Sequence, residues 1–302
     1  MSRKIIYLIN PISGTRAKTT LQDIIVRENI RQGIDHEIYL TNKEGNYHFL
    51  HQKISREHIT DVVVCGGDGS VNAVASVLTG TAINIGIIPL GSGNGLANSA
   101  NIPRRIEAAL RVIFAGKASY IDSFYINDEF SCMLCGIGFD AKVAHEFAKK
   151  KRRGLQTYIR ITAINFFKAQ PYAFEIISKE RSFSTDAFFI SIANSNQFGN
   201  NFTIAPEASL DDGLLDIVIV KKMSKLLLPF SILGQVTGIN ARQRIHEYTG
   251  KKNIIYFQTP SLTIINKEWA PLHIDGEPKG SAQKFEVRVV KNAIKLIQPN
   301  KG

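Results

Sequence analysis

The chain of 302 residues is longer than one ordinary hydrophobic core, which predicts two domains. Its 44% hydrophobic and 21% charged residues exclude an intrinsically disordered chain, and no apolar run reaches the ~18 residues of a membrane-spanning helix. The net charge of +11 predicts an anionic partner, such as nucleotide phosphates or an acidic bilayer, while no zinc-finger or RNP-type pattern indicates specific nucleic-acid binding.

The amino-terminal third alternates short β-branched runs with helical stretches. This alternation predicts a doubly wound α/β domain over residues 1–118, with a parallel sheet covered by helices on both faces. The predicted strands span residues 4–9, 37–40, 62–64 and 83–89. The predicted helices span residues 16–31, 45–56, 71–78 and 104–114.

Strand-like runs dominate from residue 119 onward. They predict a β-rich, sandwich-like second domain over residues 119–302, with a C-terminal tail that is free to pack back on the first domain. The predicted strands span residues 120–126, 131–137, 173–177, 188–193, 214–220, 254–258, 262–265 and 285–290. The predicted helices span residues 141–168, with a break at Gly154, and residues 224–248. We expect the active site in a cleft between the two domains.

The three cysteines lie in apolar, strand-like stretches. We interpret Cys65, Cys132 and Cys135 as reduced core residues of a cytoplasmic protein, since the chain enters its first strand without a cleavable hydrophobic region. Cys132 and Cys135 form a C-x-x-C, for which zinc or redox chemistry is the less favoured interpretation because no second Cys or His pair accompanies it.

Three glycine-containing loops follow predicted strands. In the first, VVVCGGDGSVNAV over residues 62–74, the glycines allow a tight turn and a helix is expected to begin at Ser70 or Val71. Unshielded amides at a helix start form a phosphate site. Asp68 in the middle of this loop indicates that Mg²⁺ or a water network lies between its carboxylate and the phosphates.

The other two loops are IIYLINPISG, which ends at Gly14, and IGIIPLGSGNGLAN, which carries glycines from Gly91 to Gly95. All three loops are expected at the carboxyl ends of parallel strands, where open α/β sheets bind ligands. The chain has no G-x-x-x-x-G-K-[ST], and G-x-G-x-x-G fails at Leu96. A P-loop NTPase and a Rossmann dehydrogenase are therefore disfavoured.

Two acidic turns, over residues 207–220 and 272–280, mark the second half. Asp-Gly pairs between strands are ordinary hairpin turns. Glu277 directly follows one of them, and a carboxylate that faced the cleft would be able to accept the proton of an attacking hydroxyl.

Six motifs occur in order along nearly the whole chain. They are NPISG (residues 10–14), GGDGS (66–70), PLGSGN (89–94), GIGFDA (136–141), a loop with Asn194, Pro206 and Asp212-Gly213, and DGE (275–277). Together they resemble the diacylglycerol kinase catalytic domain superfamily, which includes bacterial lipid kinases, sphingosine kinases and ceramide kinases. The resemblance implies an enzyme that transfers the γ-phosphoryl group of ATP to the hydroxyl of a diacylglycerol-like or related lipid.

Residue by residue, the resemblance also implies site roles. Asp68 and Asp122 would join a network of carboxylates, water and Mg²⁺, and Glu277 would be the general base. The residues that would bind ATP are Asn10, Gly14, Thr41, Gly66, Gly67, Asp68, Gly69, Ser70, Asn72, Ser92 and Asn94. The ligands of a structural Mg²⁺ would be the side chain of Asp212 and the backbone carbonyls of Ser209 and Leu214.

The sequence departs from the family pattern at three positions. Gly95 and Ala73 stand where many members have carboxylates, and Ser70 replaces a commoner threonine while keeping the hydroxyl. A sphingosine-like, phosphatidylglycerol-like or polyprenol-like acceptor therefore stays open.

Two alternative functions remain beside the lipid kinase. NAD kinases, which act on a soluble substrate, also use a GGDG turn, although the DDGLLD and DGE segments match lipid kinases. A nucleotide-sensing membrane adaptor without turnover is the second alternative, favoured by Ala73 and Gly95 and disfavoured by the intact Asp68 and Glu277.

Two segments predict peripheral association with an anionic membrane surface. Residues 149–153 are all basic. Residues 155–171 combine many apolar side chains with basic ones, a composition that suits contact with a bilayer. A solvated helix end and a core helix, respectively, are the alternative interpretations. Whether the chain forms a homo-oligomer stays open.

Overall fold

The computed structural model describes residues 3–10, 18–41, 46–149, 160–162, 164–165, 168–196, 204–222 and 253–299. The chain divides into two compact units. Unit 1 comprises Met1–Asp122 and Lys291–Gly302, and unit 2 comprises Ser123–Val290. The predicted boundary after residue 118 falls inside a strand that begins in unit 1 and ends in unit 2.

Unit 1 has the predicted parallel sheet. Its strands are β1 (Lys4–Ile9), β2 (Asp35–Leu40), β3 (Asp61–Gly66) and β4 (Asn84–Pro89). Its helices are α1 (Lys18–Gln32), α2 (Phe49–Glu57), α3 (Asp68–Leu78), α4 (Gly95–Ser99) and α5 (Ile106–Ala115). The strands pair in parallel in the order β4-β3-β1-β2. Every residue of β3 is buried, as expected for a central parallel strand with both faces covered.

A partly buried ion pair holds the amino ends of these strands. Arg3 donates two hydrogen bonds of 2.9 Å to Asp61, and two more to the Ile113 and Phe114 carbonyls near the end of α5. Carbonyls in the last turn of a helix lack i+4 partners. The Ile113 carbonyl accepts both the Gly116 N–H and the Arg3 guanidinium, and the Phe114 carbonyl also accepts from Arg3. This contact anchors the end of α5 at the amino ends of the strands. The loops described below follow the opposite, carboxyl ends.

Unit 2 is built mostly from antiparallel strands, which confirms the β-rich second part of the predicted fold. Its elements are β5 (Ala118–Ile126), which starts in unit 1, then β6 (Glu129–Ser131), β7 (Leu134–Gly138), α6 (Phe139–Ala148), β8 (Tyr172–Ile177), β9 (Ser182–Ala193), β10 (Leu215–Lys221), β11 (Ile254–Thr259), β12 (Ser261–Asn266), β13 (Leu272–Ile274), β14 (Glu277–Lys279) and β15 (Lys284–Ile297).

The long strand β9 organises unit 2. Its first half pairs with β8 and its second half with β7, while β10 pairs along its other edge and is followed by β11. Side chains from these strands and from β5 and β15 form one apolar core that includes Phe124, Phe174, Ile192 and Phe285. The last strand, β15, pairs with β12 in unit 2, and its final residues pair in parallel with β4 in unit 1.

The observed elements differ from the predicted ones at several places. Helix α3 begins at Asp68 rather than at Ser70 or Val71, and the predicted strand 131–137 is broken into β6 and β7. The short α4, β13 and β14 were not predicted as elements, because three to five residues carry too little periodicity. The predicted helix 141–168 corresponds to α6 in its first part.

Some predicted features lie outside the described residues. They are Gly14, residues 150–153 of the basic cluster, residues 155–159, 163 and 166–167 of the candidate membrane segment, and the predicted helix 224–248. In the part of the chain that the structure describes, no helix combines the length and hydrophobicity needed to cross a membrane. All three cysteines are described, and each is buried without a disulfide bond.

Candidate active site

The carboxyl ends of β1, β3 and β4 are joined by hydrogen bonds at one edge of the parallel sheet in unit 1. The Asn10 amide N–H donates to the Cys65 carbonyl at 3.0 Å, and the Asn10 side chain donates to Ser70 Oγ at 2.9 Å. The Leu90 N–H donates to the Gly66 carbonyl at 2.9 Å. The strand ends from which the three predicted loops start therefore lie together; of the first loop, only Asn10 is among the described residues.

Two glycines bring the GGDG and PLGSGN loops into backbone contact. A Cβ added at Gly91 would lie 2.5 Å from the Cα of Gly67, and a Cβ added at Gly67 would lie 3.1 Å from the Cα of Gly91. Neither position has room for a side chain. The result is a stretch of bare backbone next to the first turn of α3, which is the surface that a phosphate group requires.

Asn94 fixes the shape of the PLGSGN loop. Its backbone is left-handed, with φ of 56°, and its side chain both accepts from the Gly91 N–H at 2.9 Å and donates to the Gly91 carbonyl at 2.7 Å. The side chains of Asn98 and Arg104 donate to the Gly93 carbonyl. Asn94 therefore closes the turn.

Asp68 links the two loops through its carboxylate. It lies in the first turn of α3 and accepts hydrogen bonds from the backbone N–H groups of the Gly95, Asn94 and Leu96 segment. Burial raises the pKa of Asp68 to about 6, although these hydrogen bonds and the Arg104 charge act in the opposite direction. The carboxylate is thus held in place and is largely ionised at neutral pH.

Arg104 is a residue that the sequence analysis missed. Its side chain is exposed, and its guanidinium donates a hydrogen bond to the Gly93 carbonyl of the PLGSGN loop. Its positive charge lies close enough to Asp68 to lower the pKa of that carboxyl. No motif or periodicity distinguished this arginine from the many other basic residues. Only the fold brings it to the carboxyl edge of the sheet.

The remaining predicted ATP residues that the structure describes lie on α3, on the PLGSGN loop and directly after β2. Gly69 and Asn72 are in α3, and Ser92 is exposed in the PLGSGN loop. Thr41 is buried directly after β2, and its N–H donates to the Ile9 carbonyl at 2.9 Å. Their contacts with ATP stay predictions.

Asp122 is 3% exposed near the middle of β5. Its Oδ1 accepts from the backbone N–H of Asn292 at 2.8 Å, and Asn292 has a left-handed backbone with φ of 53°. Asp122 therefore also shapes the return of β15 into unit 1. Among the side chains that the structure describes, no group of three His, Cys, Asp or Glu residues forms a metal-binding cluster, so an Mg²⁺ near Asp68 or Asp122 would depend on water and phosphate oxygens for most of its ligands.

The loop before β10 carries the predicted structural metal ligands in unit 2. Asp212 is exposed, and its Oδ1 accepts from the Leu214 N–H at 2.9 Å, while Ser209 Oγ donates to Asp211 at 2.9 Å. Burial raises the pKa of the neighbouring Asp216 to about 6, and the negative charges of Asp212 and Glu207 add to this effect. Oxygen donors in a locally negative loop fit Mg²⁺.

Glu277 is exposed at the start of β14, directly after a two-residue turn. Asp275 and Gly276 form this turn with φ of 51° and 80°. Ser131 Oγ and the Leu134 N–H each donate to Asp275 Oδ1 at 3.1 Å. The candidate base therefore stands on an anchored hairpin. Its predicted place in a cleft between the domains stays a prediction.

Family models match both parts of the chain. Residues 4–126 match the diacylglycerol kinase catalytic domain, and residues 134–298 match the YegS C-terminal NAD kinase beta sandwich-like domain. Together with the contact between the GGDG and PLGSGN loops, these matches define the class: an ATP-dependent kinase with a catalytic domain of the diacylglycerol kinase type.

Individual relatives agree with this class. A Yersinia enterocolitica protein described as "Probable lipid kinase YegS-like" is 29% identical over 283 residues, 90% of each chain. The "Probable lipid kinase YegS" of Salmonella heidelberg is 29% identical over 276 residues, 89% of this chain and 88% of that protein. The chain belongs to this YegS-like family of diacylglycerol kinase-related lipid kinases, which confirms the resemblance seen in the motifs.

A solved structure shows the same fold. A Bacillus anthracis chain described as a diacylglycerol kinase superposes with a TM-score of 0.73 at 19% identity, over 98% of this chain and 97% of that one. The predicted fold, an α/β domain followed by a β-rich sandwich-like domain, is confirmed.

Proposed function

We propose that this protein transfers the γ-phosphoryl group of ATP to the hydroxyl of a diacylglycerol-like or related lipid at a membrane surface. The observation that carries the proposal is the contact between the GGDG and PLGSGN loops, where Asp68 accepts backbone N–H groups and Gly67 meets Gly91. Membership of a lipid kinase family supports the same reaction.

The nucleotide phosphates would bind over the bare backbone of the two glycine loops. The start of α3 contributes backbone N–H groups and the positive end of its helix dipole, and the exposed Arg104 adds a cation at the same edge. Asp68 and Asp122 would hold Mg²⁺ through water. When bound, Mg²⁺ neutralises the charge that develops on the phosphoryl oxygens.

Glu277 would act as the general base. An exposed carboxylate accepts the proton of the lipid hydroxyl as that oxygen attacks the γ-phosphorus, and the anchored turn limits the motion of its backbone. As the new oxygen–phosphorus bond forms, the proton passes from the lipid oxygen to Glu277, the bond between the γ-phosphorus and the β–γ bridging oxygen breaks, and ADP leaves with that electron pair.

The reaction is proposed to take place at an anionic bilayer. Each lipid methylene exposed to water costs ~0.8 kcal/mol, so the enzyme should approach the membrane rather than extract its substrate. A net charge of +11 supplies the attraction. The cytoplasmic location stays a prediction, and whether the chain forms a homo-oligomer stays open.

The Glu277→Gln variant tests the proposed function. With labelled ATP and mixed micelles of diacylglycerol, sphingosine, phosphatidylglycerol and a polyprenol, we expect wild-type turnover on at least one lipid and a ~10²- to 10⁴-fold lower kcat in the variant. Binding of ATP should persist. The matched control is Glu180→Gln, an exposed glutamate at another hairpin of unit 2, which should keep the wild-type kcat.

Other results of the same assay would contradict the proposal. Turnover with NAD⁺ and none with lipids would identify a soluble-substrate kinase. ATP binding without turnover on any acceptor would identify a nucleotide-sensing adaptor. A Glu277→Gln variant with more than a tenth of the wild-type kcat would show that Glu277 is not the base.

A further inference from the structure

Two buried side chains of unit 2 meet beside the turn that carries Glu277. His273, in β13, is 2% exposed, and its Nε2 lies 3.3 Å from Oδ2 of Asp140, which is 7% exposed. His273 Nδ1 accepts the backbone N–H of Gly276 at 3.2 Å. Because a backbone N–H can only donate, Nδ1 is unprotonated, and the ring proton on Nε2 is donated to Asp140.

A glycine makes room for this pair. His273 lies directly opposite Gly136 in the pairing of β13 with β7. A Cβ added at Gly136 would clash with Oδ2 of Asp140 and would lie 2.5 Å from Nε2 of His273. The glycine of the GIGFDA motif is thus required by the contact between the aspartate and the histidine.

Helix α6 holds the other end of the contact. Asp140 lies in the first turn of α6, and its Oδ1 accepts the Ala141 N–H at 2.8 Å. A carboxylate is stabilised at a helix N-terminus by the helix dipole. One turn further along α6, His145 Nε2 lies 3.0 Å from the Leu272 carbonyl of β13. Helix α6 and the hairpin β13–β14 are therefore connected at two points.

Both residues of the turn, Asp275 and Gly276, form hydrogen bonds to the rest of unit 2. Positive φ at Asp275 and Gly276 is the geometry of a tight two-residue hairpin turn, and Ile274 pairs with Glu277 across it. The Asp275 carboxylate accepts hydrogen bonds from the Leu134 N–H of β7 and from Ser131 Oγ. The Gly276 N–H donates to His273 Nδ1. The His273 ring therefore holds the Asp275–Gly276 peptide, in the middle of the turn that leads into Glu277.

We propose that His273, supported by Asp140, is a positioning residue that holds the Asp275–Gly276 peptide of the turn so that the Glu277 carboxylate, on the next residue, meets the acceptor hydroxyl. This inference rests on the proposed role of Glu277. A general base must come within hydrogen-bond distance of the proton it accepts, and a displacement of ~1 Å can cost ~10²-fold in rate. His273 itself does not contact the substrate in this proposal.

Two substitutions at one position separate the two hydrogen bonds. His273→Asn places an amide oxygen near the position of Nδ1 and keeps the acceptor for Gly276, whereas His273→Gln places an amide nitrogen near Nε2 and keeps only the donor to Asp140. We expect the Gly276 amide to exchange hydrogen at least ~10-fold faster in His273→Gln than in the wild type, and within ~3-fold of the wild type in His273→Asn. Nuclear magnetic resonance measures this exchange without any substrate.

Turnover in the full-length enzyme, with labelled ATP and the mixed micelles described above, supplies the functional test. We expect kcat to fall ~10- to 100-fold in His273→Gln with the KM for ATP within ~2-fold, and His273→Asn to keep at least a third of the wild-type kcat. In a Glu277→Gln background, His273→Gln should lower kcat no further, because the group that it positions is already gone.

The outcomes distinguish this inference from the proposed function. If Glu277→Gln keeps the wild-type kcat, the assigned base is wrong and the positioning inference fails with it, whatever the exchange data show. If Glu277→Gln abolishes turnover while His273→Gln leaves kcat unchanged, or lowers it equally in both backgrounds, His273 is structural only. Should both His273 variants fail to fold, an unprotected Gly276 amide in the wild type would overturn the inference, and a protected one would support it.

Discussion

At the residue scale, the burial of the Asp68 carboxylate lowers the stability of the fold while it places a negative charge in the candidate site. The carboxyl is buried against the PLGSGN loop, and burial raises its pKa to about 6. Hydrogen bonds from backbone N–H groups offset part of the free-energy cost of burying the ionised carboxylate. An ionised carboxylate in such a place favours a cation nearby, and the same charge destabilises the fold when no cation is bound.

Substitution of Asp68 tests this relation. A group whose folded-state pKa lies above its unfolded value of ~3.9 contributes stability that is present at low pH and is lost as pH rises through about 6. In EDTA, we therefore expect Asp68→Asn to be more stable than the wild type at pH 7.5, by of the order of 2 kcal/mol. Thermal unfolding, followed by circular dichroism, measures the difference.

The pH dependence of that difference is the control. Near pH 4 both forms are largely uncharged at this position, so the two melting temperatures should converge. A variant that is less stable than the wild type at every pH would show that the hydrogen bonds to the carboxylate outweigh its burial. Kinase activity should be lost in the variant regardless.

At the element scale, the loop before β10 is expected to be organised by a metal. A ligand that binds only the folded state stabilises it, by ~2.7 kcal/mol at a hundred times its Kd. We expect Mg²⁺ to raise the melting temperature of the wild type, and Asp212→Ala to reduce this rise, leaving only the part due to Mg²⁺ near Asp68, and to lower activity.

The matched control for the loop is Asp211→Ala, the neighbouring carboxylate, which accepts from Ser209 Oγ and is not among the expected ligands. This variant should keep the Mg²⁺-dependent rise. Identical melting temperatures for wild type and Asp212→Ala, with and without Mg²⁺, would contradict the assignment.

The end of β15 is a second element whose role is structural. Leu296 is 0% exposed in unit 1 and pairs with Ile85 of β4. Leu296→Ala should destabilise the protein by ~2–5 kcal/mol, the usual cost of truncating a buried leucine. Lys291→Ala, at an exposed position of the same strand, should change stability by no more than ~0.5 kcal/mol. Urea denaturation measures the change in the free energy of unfolding for both variants. If Leu296→Ala costs no more than Lys291→Ala, the core of unit 1 does not depend on this strand.

At the scale of the whole molecule, charge is expected to govern membrane binding. Basic residues near an anionic surface contribute ~1 kcal/mol each at most and are screened within about 10 Å at 0.1 M salt. We expect vesicles with anionic lipid to sediment the protein at low salt, with weaker binding at high salt and to neutral vesicles.

Residues 150–153 provide the variant for this test. Replacing all four, Lys150, Lys151, Arg152 and Arg153, with glutamine should weaken sedimentation while ATP binding persists. Equal binding to neutral and anionic vesicles would show that apolar insertion dominates. No binding to either, with full activity on a water-soluble alcohol, would contradict the lipid kinase proposal itself.

The sequence by itself determined the α/β unit, the β-rich second unit and the three loops, because periodicity, glycine and chain order are local properties. Asp68, Gly67 and Asn94 could be named from motifs for the same reason. The tertiary structure alone decided that β15 returns to β4, that Arg104 lies beside Asp68, and that Asp140 meets His273 next to Gly276. Asp140 and His273 are 133 residues apart, and no local pattern encodes a contact that exists only after α6 packs against β13.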